Sequence, residues 1–171
     1  AHVIERMLNS IKPIVDGICI VDTGSTDGTQ DVIRKWGETN NIPTFVYDRP
    51  FDNFENSRNY SMEMSKDKFE YCFWIDADEV MEIDLKVFDK NKLDKDLYMF
   101  NTYIGNMKYT RNECWKTSLP FKFYGPVHEF IVCDQQNISS GLMEGIVVKV
   151  YMDGGSWKGN VADKYKKHSA I

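Results

Sequence analysis

Two short apolar runs, each broken off by acid, constrain the fold of this chain more than any other feature. Tyr71-Cys72-Phe73-Trp74-Ile75 stops at Asp76-Ala77-Asp78-Glu79, and Gly17-Ile18-Cys19-Ile20-Val21 stops at Asp22. A short apolar run bounded by polar residues reads as a buried strand. In open α/β sheets ligands gather beyond the carboxyl ends of strands, so both runs deliver carboxylates to where a ligand would sit. Asp76 and Asp78 are two apart and project to the same side of an extended segment. Their hard oxygens suit Mg²⁺ or Mn²⁺. A solvated acidic turn is the plain alternative for so common a triplet.

After Asp22 comes a polar loop, Thr23-Gly24-Ser25-Thr26-Asp27-Gly28-Thr29, which opens an amphipathic segment through Val32, Ile33 and Trp36. Gly24 and Gly28 fit a loop with unusual backbone angles or a close approach to a ligand. Ser25, Thr26 and Asp27 are natural helix N-caps. Asp22 itself, at the end of a buried strand, sits where the donor groups of a nucleotide would be read. The loop lacks both G-x-G-x-x-G and the Gly-Lys-Ser/Thr of a P-loop, so diphosphate charge is left to a cation at Asp76 and Asp78.

These motifs sit within a regular alternation. Pattern and breakers give helix 1–14, strand 17–22, helix 28–37, strand 43–48, helix 54–66 and strand 70–76. That rhythm argues a parallel sheet with helices on both faces. From Leu97 the pattern changes to extended, aromatic-rich runs at 97–100, 111–118, 127–133 and 142–151, a small antiparallel or mixed region. We therefore expect one domain, 1–171, in two halves, 1–96 and 97–171. The Lys/Asp-rich stretch from Asp84 to Asp96 reads as a solvated helix or loop.

The 171 residues can bury a sizeable core, and 42% hydrophobic with 27% charged residues is ordinary globular chemistry. Net charge is −5 and the basic residues are scattered, which argues against a nucleic-acid or anionic-membrane surface. No apolar run approaches a membrane span or a signal peptide. Cys19, Cys72, Cys114 and Cys133 form no C-x-x-C pair, and a reducing, cytoplasmic setting is expected. The sequons at Asn59 and Asn137 arise readily by chance.

The stretch from Val21 to Thr29, taken with Trp74 to Glu79, resembles the family 2 glycosyltransferases of GT-A fold. Asn53-Phe54-Glu55-Asn56-Ser57-Arg58-Asn59 is similar to the family's Phe-x-x-x-Arg-Asn segment, and Gly125-Pro126-Val127-His128-Glu129 to its Gly-x-x-His-Glu segment. Gly154-Gly155-Ser156-Trp157 ahead of Asp163-Lys164-Tyr165 matches a late segment. The order resembles the branch in which the domain is often followed by tetratricopeptide repeats, none of which lies within these residues. The resemblance implies a mostly parallel central sheet and a UDP-sugar donor. It also implies a saccharide or protein hydroxyl acceptor, transfer with inversion, and Mn²⁺ or Mg²⁺. Family members begin with a strand and a Lys-Asn-Glu loop flanking the uracil. Here apolar positions 3, 4, 7, 8 and 11 already follow helical spacing, so the first strand is expected to be missing.

By the same resemblance Asp78 is the first metal ligand, with Asp76 touching the ribose or the metal through water. Asp22 would accept from the uracil N–H, within a nucleotide-binding set of Asp22, Thr23, Gly24, Ser25, Arg58, Asp76 and Trp157. Arg58 offers a planar fork for phosphate or a base edge; its plain alternative is a surface pair with Glu55. His128 could complete the metal shell, since imidazole suits Mn²⁺. Glu129 is the candidate general base and Asp153 its competitor, because sequence cannot supply the distance to the acceptor. Trp157, in a Gly-rich loop, is a candidate lid. Trp115, Phe121, Phe123 and Tyr124 read as a sugar-stacking groove or a compact core, with Phe121 and Phe123 assigned to core. The other functions in view are a catalytically silent nucleotide-sugar or glycan-binding module, a nucleotidyltransferase lacking its usual Gly-x-Gly-x-Arg loop, and a glycosidase.

Overall fold

The computed structural model of the chain describes residues 2–126 and 129–153. The first helix, α1 (His2–Ile11), buries Ile4, Met7, Leu8 and Ile11, the helical stripe expected from their spacing. Pro13 follows its end, where a proline cannot continue the hydrogen-bond ladder. Strand β1 (Ile18–Asp22) leads through an exposed loop into α2 (Thr29–Asn40), whose buried Ile33 and Trp36 face α1. Trp36 Nε1 donates to Asn9 Oδ1 at 2.8 Å and ties the two helices together. Gly37 lets α2 lie against β2 (Thr44–Asp48), because a Cβ there would fall 2.0 Å from Thr44 Oγ1. β1 and β2 form a parallel ladder from Ile18 opposite Thr44 to Asp22 opposite Asp48.

Helix α3 (Phe54–Ser65) starts where the Asn53 side chain accepts the Asn56 N–H at 2.8 Å, an N-cap that the sequence carries in plain view. It packs on β1 and on a later hairpin. β3 (Tyr71–Phe73) is shorter than the 70–76 expected, because the chain leaves its partner strand after the Trp74 N–H, which donates to the Glu113 carbonyl at 2.9 Å, to reach the acidic turn. From that turn it enters β4 (Glu79–Ile83), which the sequence reading did not contain.

The second half supplies β5 (Leu97–Ile104), β6 (Met107–Lys116) and β9 (Ser140–Val150), together with the hairpin β7 (Phe121–Tyr124) and β8 (Phe130–Cys133). The larger sheet runs β3-β6-β5-β9-β4. Its β5–β9 contact is parallel and the rest are antiparallel. Gly145, at φ 77°, bends β9 where the register against β5 shifts, and a Cβ there would strike the Phe88 backbone N at 2.7 Å. The result is an α/β domain with a mixed sheet, consistent with a GT-A-like fold. Among the described residues the parallel ladders are β1–β2 and β5–β9 alone, where the sequence reading expects a mostly parallel central sheet.

One apolar cluster lies between α1, α2 and the large sheet around Leu8, Ile33, Phe100 and Val148. A second joins Leu97, Trp115, Phe121, Phe123 and Ile131, with Trp74 edge-on to Phe123 at 5.2 Å. Phe121 and Phe123 are therefore core residues, as assigned from sequence, and Trp115 joins them.

Candidate active site

The chain just past β1, at Thr23, and the chain beyond β3, at Asp76, line one recess. Asp22 is buried, and its Oδ1 accepts the backbone N–H groups of Gly24 at 2.9 Å and Ser25 at 2.7 Å. Burial raises its pKa, but the bonds from Ser25 and Gly24 outweigh this and hold the carboxyl below its ordinary value. Asp22 thus shapes the loop that carries Thr23, Gly24 and Ser25, all exposed. Gly24 at φ 115° and Gly28 at φ 78° are required by backbone conformation and not by crowding, since a Cβ at either would meet nothing within 4 Å.

Across the recess, the chain turns at 77–78 directly behind Asp76. The Asp76 N–H donates to Glu79 Oε2 at 3.0 Å, and the Asp76 carbonyl accepts the Glu79 N–H at 3.0 Å. The Asp76 carboxylate lies deep in the recess yet 45% exposed to its solvent; burial raises its pKa while Arg58 and Arg111 oppose. Asp78 is buried, and its Oδ2 has no hydrogen-bond partner. An unsatisfied buried carboxylate oxygen is costly unless something outside the protein completes it.

Arg58 projects from α3 into the same recess. Its guanidinium pairs with Glu129, lies 3.7 Å from Asp76 Oδ1, and stacks over the Trp74 ring. Glu55, the surface partner weighed from sequence, is engaged elsewhere, accepting the Gly125 N–H at 2.7 Å. Asn59 also turns away from the site, because its amide exchanges two 2.8 Å bonds with the Phe123 backbone and docks α3 on β7. Glu129, 13% exposed, is thereby brought to Arg58 and Asp76. Asp153 is held apart from that group, with both its oxygens on Arg6 at 2.7 Å. His128 and Trp157 lie outside the described residues.

The sequence reading missed Arg111 and Glu113, and took Glu79 only as the third acid of the turn. Glu79, 2% exposed, accepts from Arg111 Nη2 at 2.6 Å, and Arg111 also pairs with Glu113. Glu113 Oε2 is buried without a partner, and burial pushes the carboxyl up to about 8 against the pull of Arg111. Arg111 and Glu113 are two apart on one strand, so their shared face could have been noticed.

The recess thus combines Asp76 with a stacked arginine, Arg58, and the turn directly behind Asp76 carries the orphaned Asp78 carboxylate oxygen. Among the described residues no group of three His, Cys, Asp or Glu side chains encloses a metal. A cation shared with a diphosphate needs only one or two protein carboxylates, which Asp78 and Asp76 offer. The donor set therefore fits Mg²⁺ or Mn²⁺.

Sequence comparison agrees with this class of site. A profile described as glycosyl transferase family 2 matches residues 1–131, and the chain belongs to that family. It is similar to an abequosyltransferase of Salmonella typhimurium, at 33% identity over 103 residues covering 56% of this chain and 31% of the relative. The chain thus spans about a third of the length of that curated relative. No helix among the described residues is long and apolar enough to cross a membrane.

Proposed function

We propose that this domain moves a sugar from a UDP-sugar to a hydroxyl of a saccharide or protein acceptor, with inversion, using Mn²⁺ or Mg²⁺ held by Asp78 and Asp76. The observation that carries the reading is the buried Asp78 Oδ2 without a partner, two residues on from Asp76, which lies in the recess with Arg58. The fold belonging to this reading is of GT-A type. Its setting is the cytoplasm, and its branch is the one often followed by tetratricopeptide repeats.

When bound, the cation stabilises as a Lewis acid the negative charge that grows on the departing diphosphate. The chain's own residues do the rest. Arg58 presents a fixed fork of donors to phosphate or ribose, stiffened by its stacking on Trp74. The Asp22 loop, with Thr23, Gly24 and Ser25, forms the wall against the base. Glu129 accepts the proton of the acceptor hydroxyl, whose oxygen attacks the anomeric carbon from the face opposite the diphosphate. Glu129 is preferred to Asp153 because it lies in the recess with Arg58 and Asp76, while Asp153 has both oxygens on Arg6. His128 would add to the metal shell, and Trp157 would cover the donor.

Calorimetry with UDP, with and without Mn²⁺, tests the metal assignment. Asp78→Asn should abolish the Mn²⁺-dependent part of UDP binding and leave the circular dichroism spectrum unchanged. Unaltered affinity and Mn²⁺ dependence in that variant would refute it. For the base, Glu129→Gln should lower turnover by about 10²–10⁴-fold with donor affinity near normal. If Asp153→Asn stops transfer while Glu129→Gln remains active, the two roles are exchanged.

A catalytically silent donor-binding module is the second reading. It draws support from the fact that both candidate bases are engaged by arginines. Release of free UDP from a UDP-sugar with added Mn²⁺ separates the two.

A further inference from the structure

The two acids proposed to hold the cation, Asp76 and Asp78, lie outside any strand, on the stretch that joins β3 to β4. The shape of this turn depends on the hydrogen bonds that reach it. The Glu79 N–H donates to the Asp76 carbonyl at 3.0 Å, and the Tyr151 N–H to the Asp78 carbonyl at 3.1 Å. A third bond is of another kind, since the Asp76 N–H donates to a side chain, Glu79 Oε2, at 3.0 Å. The backbone at Asp76 is therefore tied to the position of the Glu79 carboxylate.

That carboxylate is 2% exposed, so water does little to balance its charge. Its other oxygen, Oε1, accepts from Arg111 Nη2 at 2.6 Å. One carboxylate thus bridges the backbone of the turn and a guanidinium from β6. Arg111 is held in its turn by Glu113, which is 7% exposed and pairs with the same nitrogen. The placing of Glu113 has a backbone cause. Cys114 lies opposite Tyr98 and Asn112 opposite Met99, which leaves Glu113 as an extra residue in β6. Bulges of this kind re-aim side chains beside functional sites.

The charges divide in a telling way. Arg111 is shared by Glu79 and Glu113, and Arg58 by Asp76 and Glu129. Among the described residues Asp78 belongs to neither group, and its buried Oδ2 has no hydrogen-bond partner. The acid left over for a cation is thus the one whose position is set by the turn alone.

The geometry points to Arg111 as a positioning residue, which acts through Glu79 to fix the turn carrying Asp76 and Asp78 in the shape that a divalent cation meets. Its consequence for the cation rests on the proposed function, whereas the fixing of the turn is a property of the metal-free protein. Without Arg111, Glu79 would be a buried carboxylate stripped of its counter-charge, and would leave the Asp76 N–H to water. Loss of a side chain that orients metal ligands from behind typically weakens metal binding about 10–100-fold.

The test combines Arg111→Met, Glu79→Gln and the double variant. Trp36→Phe is the control, because the bond it removes, to Asn9, joins α1 to α2 and involves none of these groups. Amide exchange at Asp76 is read in the metal-free protein, and UDP affinity by calorimetry with and without Mn²⁺. Glutamine offers one acceptor oxygen where the carboxylate offers two, so Glu79→Gln breaks the bridge without stranding a charge at that position. Each single variant should speed exchange at Asp76 by about tenfold or more and weaken the Mn²⁺-dependent part of UDP binding by about 10–100-fold. UDP affinity without Mn²⁺ should stay near normal. The double variant should be no worse than the more affected single, since one residue acts through the other. Arg111→Lys, which keeps a cation beside Glu79, serves where Arg111→Met does not fold, and it should keep or lose both readouts together. An Asp76 amide that exchanges freely in the wild type would overturn the assignment. So would additive losses in the double variant, which would mean that Arg111 meets the nucleotide itself. Movement of one readout without the other in a folded variant, or the same pattern in Trp36→Phe at matched loss of stability, would overturn it too. If the wild type binds UDP with no Mn²⁺ dependence, it is the proposed function that fails, and exchange at Asp76 alone then decides whether Arg111 fixes the turn.

Discussion

Glu113 is the residue whose chemistry departs furthest from what its position in the chain suggests. It sits two places from Arg111 on β6, yet burial outweighs the arginine and lifts its carboxyl to about 8. The folded protein therefore holds a proton that the unfolded chain, with an ordinary glutamate pKa, gives up. Stability from this group is full below pH about 4.5 and is lost as pH rises through about 8, at no more than about 1.4 kcal/mol per pH unit. Urea melts of the wild type between pH 5 and 8.5 should show this decline. Glu113→Gln should flatten it, and an unchanged slope would mean that Arg111 keeps Glu113 ionised throughout. The acidic turn was legible from Asp76 and Asp78 because strand-end carboxylates stand out against an apolar run. The buried support behind it was not, because Glu79, Arg111 and Glu113 come from two strands that only the β5–β6 hairpin and its neighbours bring together. Linear spacing carries no trace of such long-range pairing.

At the scale of elements, the helices were the most legible part. α1 and α2 announce themselves by apolar spacing and α3 by its Asn53 cap, while β4 was obscured by its own acids. Glu79 reads as part of a polar turn, whereas the fold buries it as the first residue of a strand. The β5–β6 hairpin turns on Gly105 and Asn106, a pair whose short-range signal was available and went unused. Arg58 and Asn59 illustrate how adjacent residues divide their work, one facing the recess and the other fastening α3 to β7. Asn59→Ala should cost about 1–3 kcal/mol, because the Phe123 N–H and carbonyl lose their partners together. Chemical denaturation measures that loss. The same variant should also weaken donor binding, because the helix that carries Arg58 would no longer be pinned to the hairpin. A destabilised variant with full UDP affinity would place the alignment of Arg58 under the control of α3's other contacts.

Across the whole molecule, the two halves expected from sequence are woven together by their strands. β3 and β4, from before residue 97, ladder to β6 and β9, from after it. Ile83 lies opposite Ile146, and Met81 and Val148 are both buried in the core next to α1. The stretch between Asp84 and Asp96 that links the halves contains exposed residues such as Leu85, Lys86 and Val87. A single backbone cut there, made by an engineered protease site after Val87, should therefore leave both fragments in one particle. Gel filtration under native conditions should return the mass of the uncut domain, and separate elution of the pieces would contradict the prediction. The woven sheet thus makes this domain a natural candidate for a split reporter, in which two inactive fragments regain a common core only when brought together.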